Sequence, residues 1–140
     1  MSQETQIDRE ALMDRAFEAA ELSYSPYSHF RVGAALLCQD GTVVTAANIE
    51  NRSFGMTICA ERSAIVKAHS LGRTRYTALA VACPDAGYPV SPCGACRQVI
   101  SEFAGPDFPV YFTGADRSQT VCTTIGSLFP YDALKELAQP

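Results

Sequence analysis

The sequence predicts an α/β protein, and three observations carry that reading. An apolar stripe at helical spacing opens the chain, two β-type runs joined through Asp-Gly follow it, and strand-like and helix-like segments then alternate to the end. Alternation of this kind after a hairpin builds a mixed sheet with parallel crossovers and helices packed against it. At 140 residues, with no internal repeat and no linker rich in Gly, Ser or Pro, residues 1–140 read as one domain.

The elements follow in order. Leu12, Met13, Ala16, Phe17 and Ala20 share one helical stripe, which the proline turn Tyr24-Ser25-Pro26-Tyr27-Ser28 ends. Phe30–Cys38 and Thr42–Ile49 are β-type runs flanking Gln39-Asp40-Gly41, the signal of a tight antiparallel hairpin. A second helix is expected over Cys59–His69, with Ala60, Ala64, Ile65 and Ala68 inward and Leu71-Gly72 closing it. Thr77–Cys83 has the apolar character of a central strand. In Ser91-Pro92 the serine suits an N-cap and the proline a first helical position, placing Cys93 and Cys96 in the opening turns of a third helix. Val110–Thr113 and Thr120–Thr124 are further strands, and Asp132–Ala138 is expected to form a terminal helix.

Composition removes several classes of function. Eleven Lys and Arg against fifteen Asp and Glu leave a net charge of −4, and no basic cluster interrupts it, so a nucleic acid polymer is not an expected partner. No apolar run approaches the roughly 20 residues of a membrane helix. The polar, acidic opening from Met1 to Glu10 lacks the basic start and apolar middle of a secretory signal, which points to the cytoplasm. In that compartment six cysteines read as metal ligands plus buried thiols rather than a disulfide framework. Cys38, Cys83 and Cys122 lie in strand-like runs and are expected to be small buried hydrophobes, while His29 and His69 have no ligand-like spacing.

The chemistry gathers in Cys59-Ala60-Glu61 and Pro92-Cys93-Gly94-Ala95-Cys96. Cys93 and Cys96, at i and i+3, share one helical face, and Cys59 would reach them from another helix start. Three thiolates hold Zn²⁺ and leave one coordination position for water. Glu61 is then not a fourth ligand but a proton carrier, moving protons as activated water attacks a ring carbon bearing an amine. Arg62, three residues after Cys59, would reach a ligand sulfur and withdraw negative charge from the metal. The competing reading is a structural zinc module in which Cys38, Cys83 or Cys122 completes a closed four-cysteine site; it leaves Glu61 without a task.

These residues, with Tyr24-Ser25-Pro26-Tyr27-Ser28, Phe30-Arg31-Val32-Gly33-Ala34-Ala35, Asn48-Ile49-Glu50-Asn51 and Ser91-Pro92-Cys93-Gly94-Ala95-Cys96-Arg97-Gln98, give a chain that resembles the cytidine deaminases, in particular their small homotetrameric class. The resemblance implies a three-layer α/β/α fold around a five-stranded mixed sheet, one zinc per subunit, and hydrolysis of cytidine or deoxycytidine to the uridine in pyrimidine salvage. It implies Cys59, Cys93 and Cys96 as zinc ligands, Glu61 as proton shuttle and Arg62 as the arginine that tempers ligand charge. It further implies Asn48 and Glu50 on the ribose hydroxyls, Phe30 against the pyrimidine ring and the Ala60 amide on the base carbonyl. The departure from the family pattern is at Leu128-Phe129-Pro130-Tyr131-Asp132-Ala133-Leu134, where a phenylalanine three residues past the proline commonly caps a neighbouring subunit's site. Here Ala133 stands there, with Phe129 and Tyr131 as the nearby aromatics, which implies a wider pocket tolerant of modified cytidines.

Overall fold

The computed structural model describes residues 6–138. Residues 1–5, half of the polar opening on which the absence of a secretory signal was argued, lie outside the described residues.

Five strands form one mixed sheet: β1 (Gly33–Cys38), β2 (Val43–Ala47), β3 (Tyr76–Ala82), β4 (Pro109–Thr113) and β5 (Val121–Thr124). Their spatial order is β2-β1-β3-β4-β5, with β3 and β4 parallel and every other neighbouring pair antiparallel. The helices are α1 (Arg9–Ala20), α2 (Ala60–Ser70), α3 (Gly94–Phe103) and the single turn α4 (Ile125–Leu128).

Strand periodicity sorts the core into two layers. Ala35 and Leu37 of β1, with Ala78, Ala80 and Ala82 of β3, face Leu12, Met13 and Ala16 of α1. Ala34, Leu36 and Cys38, with Leu79 and Val81, face Ala60, Ala64, Ile65 and Ala68 of α2 and Ile100 of α3. That is the expected α/β/α sandwich. The α1 face is built of alanines, which let the helix approach closely; a Cβ at Gly33 would stand 1.9 Å from the Ala16 carbonyl oxygen.

Local chemistry sets the element ends. Asp8 caps α1 by accepting from the Ala11 N–H at 3.0 Å. The hairpin turn closes with Cys38 N–H on the Thr42 carbonyl at 2.8 Å and Gly41 at φ +88°. Gly72, at φ +83°, ends α2 as expected. The hairpin strands are shorter than the β-type runs: past Gly33 and Ala47 the Asn48 N–H still bonds the Val32 carbonyl at 3.1 Å, and the Asn48 side chain adds bonds to the Val32 N–H and the Phe30 carbonyl.

Three expectations are corrected. The third helix starts at Gly94 with Cys93 as N-cap, because the Ser91 hydroxyl and the Pro92 carbonyl are taken by Arg97. Asp132–Ala138 contains only a 3₁₀ turn at Lys135–Leu137, entered through Leu134 at φ +63°; this segment is fastened to α3 by polar groups, and Leu134 and Leu137, which a helix would have to bury, are exposed. Cys122 is exposed, since β5 is an edge strand, and its thiol accepts from Arg9 Nη1 at 2.8 Å. Cys38 and Cys83 are buried as expected. Among the described residues no helix is long and apolar enough to cross a membrane.

Candidate metal centre

The three motif cysteines meet where α2 and α3 begin. Cys59 is the N-cap of α2, Cys93 the N-cap of α3, and Cys96 lies in the first turn of α3. Both caps are extended and neither makes a side-chain capping bond, which leaves the thiols free to turn toward each other. The three sulfurs lie within 4.8 Å of one another, with Cys59 and Cys93 3.7 Å apart. This donor set suits zinc, and two helix N-termini offset part of the charge of three thiolates. Among the described residues no fourth thiol joins the cluster, so the closed four-cysteine arrangement is not formed.

The charges around the sulfurs are arranged for a cation. Arg62 Nη2 points at Cys59 Sγ from 3.6 Å, and its bonds to Cys59 and Cys96 push the guanidinium pKa further up. Hydrogen bonding from Cys96, supported by Arg62, pulls the Cys59 thiol down to about 5. Cys96, which donates to Cys59 and is buried, is pushed up. Metal ligation needs both thiols deprotonated, so a bound divalent cation would displace a proton held between them.

Glu61, beside the cluster, is only 4% exposed. Burial, reinforced by the Cys59 thiolate, pushes its carboxyl up to about 7, where it can both take and give a proton near neutral pH. It faces a cavity of about 380 Å³ shared with Phe30, Asn48, Glu50, Cys59 and Cys93. Ala60 is buried as the first residue of α2, so its N–H is one of those a helix start leaves without an intrahelical acceptor. A larger cleft of about 590 Å³ runs past His69, Arg75 and Phe103 and contains none of the three thiols.

Asn48 and Glu50 do more here than their spacing indicated. Asn48 is 7% exposed; its Oδ1 accepts from Ser23 Oγ at 2.5 Å and Val32 N at 3.0 Å, and its Nδ2 donates to the Phe30 carbonyl at 2.9 Å. Glu50 accepts from the backbone of Tyr27 at 3.0 Å and Ser28 at 3.2 Å, and from the Ser28 hydroxyl, which holds its carboxyl below the usual range. The pair thus fastens the 23–32 loop that carries Phe30. Arg31 locks the same loop through a two-nitrogen bond to Asp85 at 2.8 and 3.1 Å.

Ser28 and Asp85 were not singled out by sequence reasoning, and Ser91 was read only as a helix cap, though each lies within a quoted motif or a few residues of one. At the C-terminus, Phe129 packs partly buried against the core and Tyr131 is 95% exposed.

Residues 6–112 match the family model described as the cytidine and deoxycytidylate deaminase zinc-binding region. The chain is 53% identical to a cytidine deaminase of Halalkalibacterium halodurans over 75% of this chain and 79% of that one. It is 48% identical to a cytidine deaminase of Sporosarcina psychrophila over 93% and 94% of the two chains. Among solved structures, a cytidine deaminase from Burkholderia pseudomallei superposes with a TM-score of 0.84 at 39% identity, over 89% of this chain and 98% of that one.

Proposed function

Given that this chain belongs to the cytidine and deoxycytidylate deaminase family, we propose that residues 1–140 act as one zinc-dependent domain that hydrolyses cytidine and deoxycytidine to the uridines with release of ammonia. The observation that carries this reading is a three-thiol cluster that faces a nucleoside-sized cavity, with a buried glutamate at its side.

In this reading Cys59, Cys93 and Cys96 hold zinc, which supplies an activated water. With zinc bound, Glu61 would take one proton from the attacking water and pass it to the ring nitrogen, then take the remaining proton of the hydroxyl added to the ring carbon and pass it to the departing amine, so that one water is consumed and ammonia leaves. Arg62 draws charge from the sulfurs. Phe30 packs on the pyrimidine face, the Ala60 N–H binds the base carbonyl, and Asn48 and Glu50 read the sugar hydroxyls. Because those two also hold the Phe30 loop, sugar binding and ring packing are mechanically joined. The enzyme works in cytoplasmic pyrimidine salvage as a homotetramer. The exposed Tyr131 and the core-packed Phe129 leave the pocket tolerant of 5- and N4-substituted cytidines.

Following cytidine by ultraviolet absorbance with zinc-loaded protein and with Glu61→Ala that retains zinc tests the reading. Conversion by the parent, with a loss of roughly 10²- to 10⁴-fold in the variant, is expected. A zinc-loaded parent inert toward cytidine would overturn it.

A further inference from the structure

Arg97 follows Cys96 directly and its side chain reaches three separate acceptors. Nε donates to the Pro92 carbonyl at 2.8 Å, Nη2 to Ser91 Oγ at 2.9 Å, and Nη1 to the Leu128 carbonyl at 2.8 Å. Its backbone N–H closes the first turn of α3 on the Cys93 carbonyl at 3.0 Å. Among the described residues no carboxylate lies within ion-pair distance of it. A half-buried guanidinium bonded to two carbonyls and a hydroxyl acts through geometry, because its planar fork fixes all three directions at once. Two of the acceptors lie in the turn that delivers Cys93; the third is 31 positions away, on the C-terminal segment.

The same segment is fastened again at the far end of α3. Asp132 accepts from the Ser101 hydroxyl, and Lys135 Nζ donates to the Ser101 carbonyl and, at 2.9 Å, to the Ala104 carbonyl. α3 has no basic residue in its own last turn, so Lys135 supplies the cation that the helix C-terminus favours. Residues 128–135 therefore form a strap along α3, anchored at the thiol end by Arg97 and at the other end by Lys135.

We propose that Arg97 is a positioning residue for the metal centre: it couples this C-terminal strap to the Ser91-Pro92-Cys93 turn, and so holds Cys93 and Cys96 in ligating positions and Ser91 in the pocket wall. The inference rests on the reading of the cluster as a zinc site. It differs from the role of Arg62, which lies 3.6 Å from a ligand sulfur and acts by charge, whereas the contacts of the Arg97 side chain are to oxygen. Lysine separates the two roles, since it keeps the charge and loses the fork.

The test uses the full chain loaded with zinc, as parent, Arg97→Lys, Arg97→Gln, Ser91→Ala, Lys135→Met and the Arg97→Lys/Lys135→Met pair. Zinc release to an excess of a chromophoric chelator is timed, kcat and KM for cytidine are measured separately, and circular dichroism reports folding. Both Arg97 variants are expected to release zinc roughly 10- to 100-fold faster, the cost typical of losing a group that orients a ligand. kcat should fall more than KM rises, Ser91→Ala should show a smaller acceleration, and the double variant should release zinc more slowly than the product of its single effects predicts. Parent-like zinc release from Arg97→Lys overturns the proposal, as does full multiplication of the Arg97 and Lys135 effects. Should the Arg97 variants not fold, Ser91→Ala decides: release at the parent rate overturns the proposal. A parent that holds zinc but deaminates nothing would end the deaminase reading alone, because zinc release still decides the role of Arg97.

Discussion

Glu61 occupies an inward position on α2 among alanines and an isoleucine, and burying an acid there costs the metal-free protein stability. The folded carboxyl holds its proton to about pH 7, against a usual value of 4.5. Because the folded value is the raised one, the stabilising contribution of the neutral form is complete below about pH 4.5 and is lost as the pH rises through 7. Ionising the group in the folded state then costs on the order of 3 kcal/mol. Metal-free Glu61→Gln, which mimics the neutral acid, should therefore match the metal-free parent near pH 4.5 and exceed it by about that amount at pH 8, measured by urea unfolding under reducing conditions. A gap that stays constant across this range would show that the burial of Glu61 carries no such cost. At this scale the convergence of the three thiols was legible because Cys-Ala-Glu and Pro-Cys-Gly-Ala-Cys name an unusual combination of thiols and one acid. The loop-fastening bonds of Asn48 and Glu50 were not, since they join residues about 20 positions apart through the Asn48 amide and the Glu50 carboxylate, and spacing carries no record of such contacts.

Among the elements, α1 and β1 depend on a contact that only one residue type permits. A Cβ at Gly33 would lie 1.9 Å from the Ala16 carbonyl oxygen and 2.5 Å from the Ala20 nitrogen, both backbone atoms of a packed helix. Gly33→Ala must push α1 off the sheet, which is expected to cost at least 1–3 kcal/mol, the usual range for overpacking, and to lower the melting temperature by several degrees. Gly55→Ala, where an added Cβ meets nothing within 4 Å, is the matched control and should melt with the parent. Equal melting of all three proteins would mean that α1 has room to move. The helix and strand positions were legible because alanine, leucine and valine recur at 3.6 and 2 residues on faces that are in fact buried. The start of α3 was misread because Ser91-Pro92 has the composition of a cap. A side-chain bond from Arg97, six residues on, takes the Ser91 hydroxyl that a cap would use. The terminal helix was misread for a related reason: Ala133, Leu134, Leu137 and Ala138 recur at helical spacing, yet the Asp132 and Lys135 side chains reach across to α3.

Over the whole molecule, the thiols make α2 and α3 one mechanical unit. These helices lie on the same face of the sheet, opposite α1, and between their starts the chain runs from Cys59 to Cys93 through the central strand β3. A metal bound to Cys59, Cys93 and Cys96 therefore joins the two helix starts across that loop, and binding to the folded state alone stabilises it by mass action. At free zinc a thousandfold above the dissociation constant the gain is about 4 kcal/mol. For a chain of this size that corresponds to a rise in melting temperature of roughly 10 °C. Chelation should accordingly lower the melting temperature by that amount while leaving the far-ultraviolet circular dichroism at 20 °C unchanged, because neither core layer depends on the sulfurs. Cys93→Ala should abolish the zinc dependence and melt near the metal-free parent, its thiol being exposed and contributing little packing. Identical melting with and without zinc would exclude the cluster as a tight site. Collapse of the dichroism on chelation would instead make zinc a condition of folding, and the two-layer core would then be insufficient on its own.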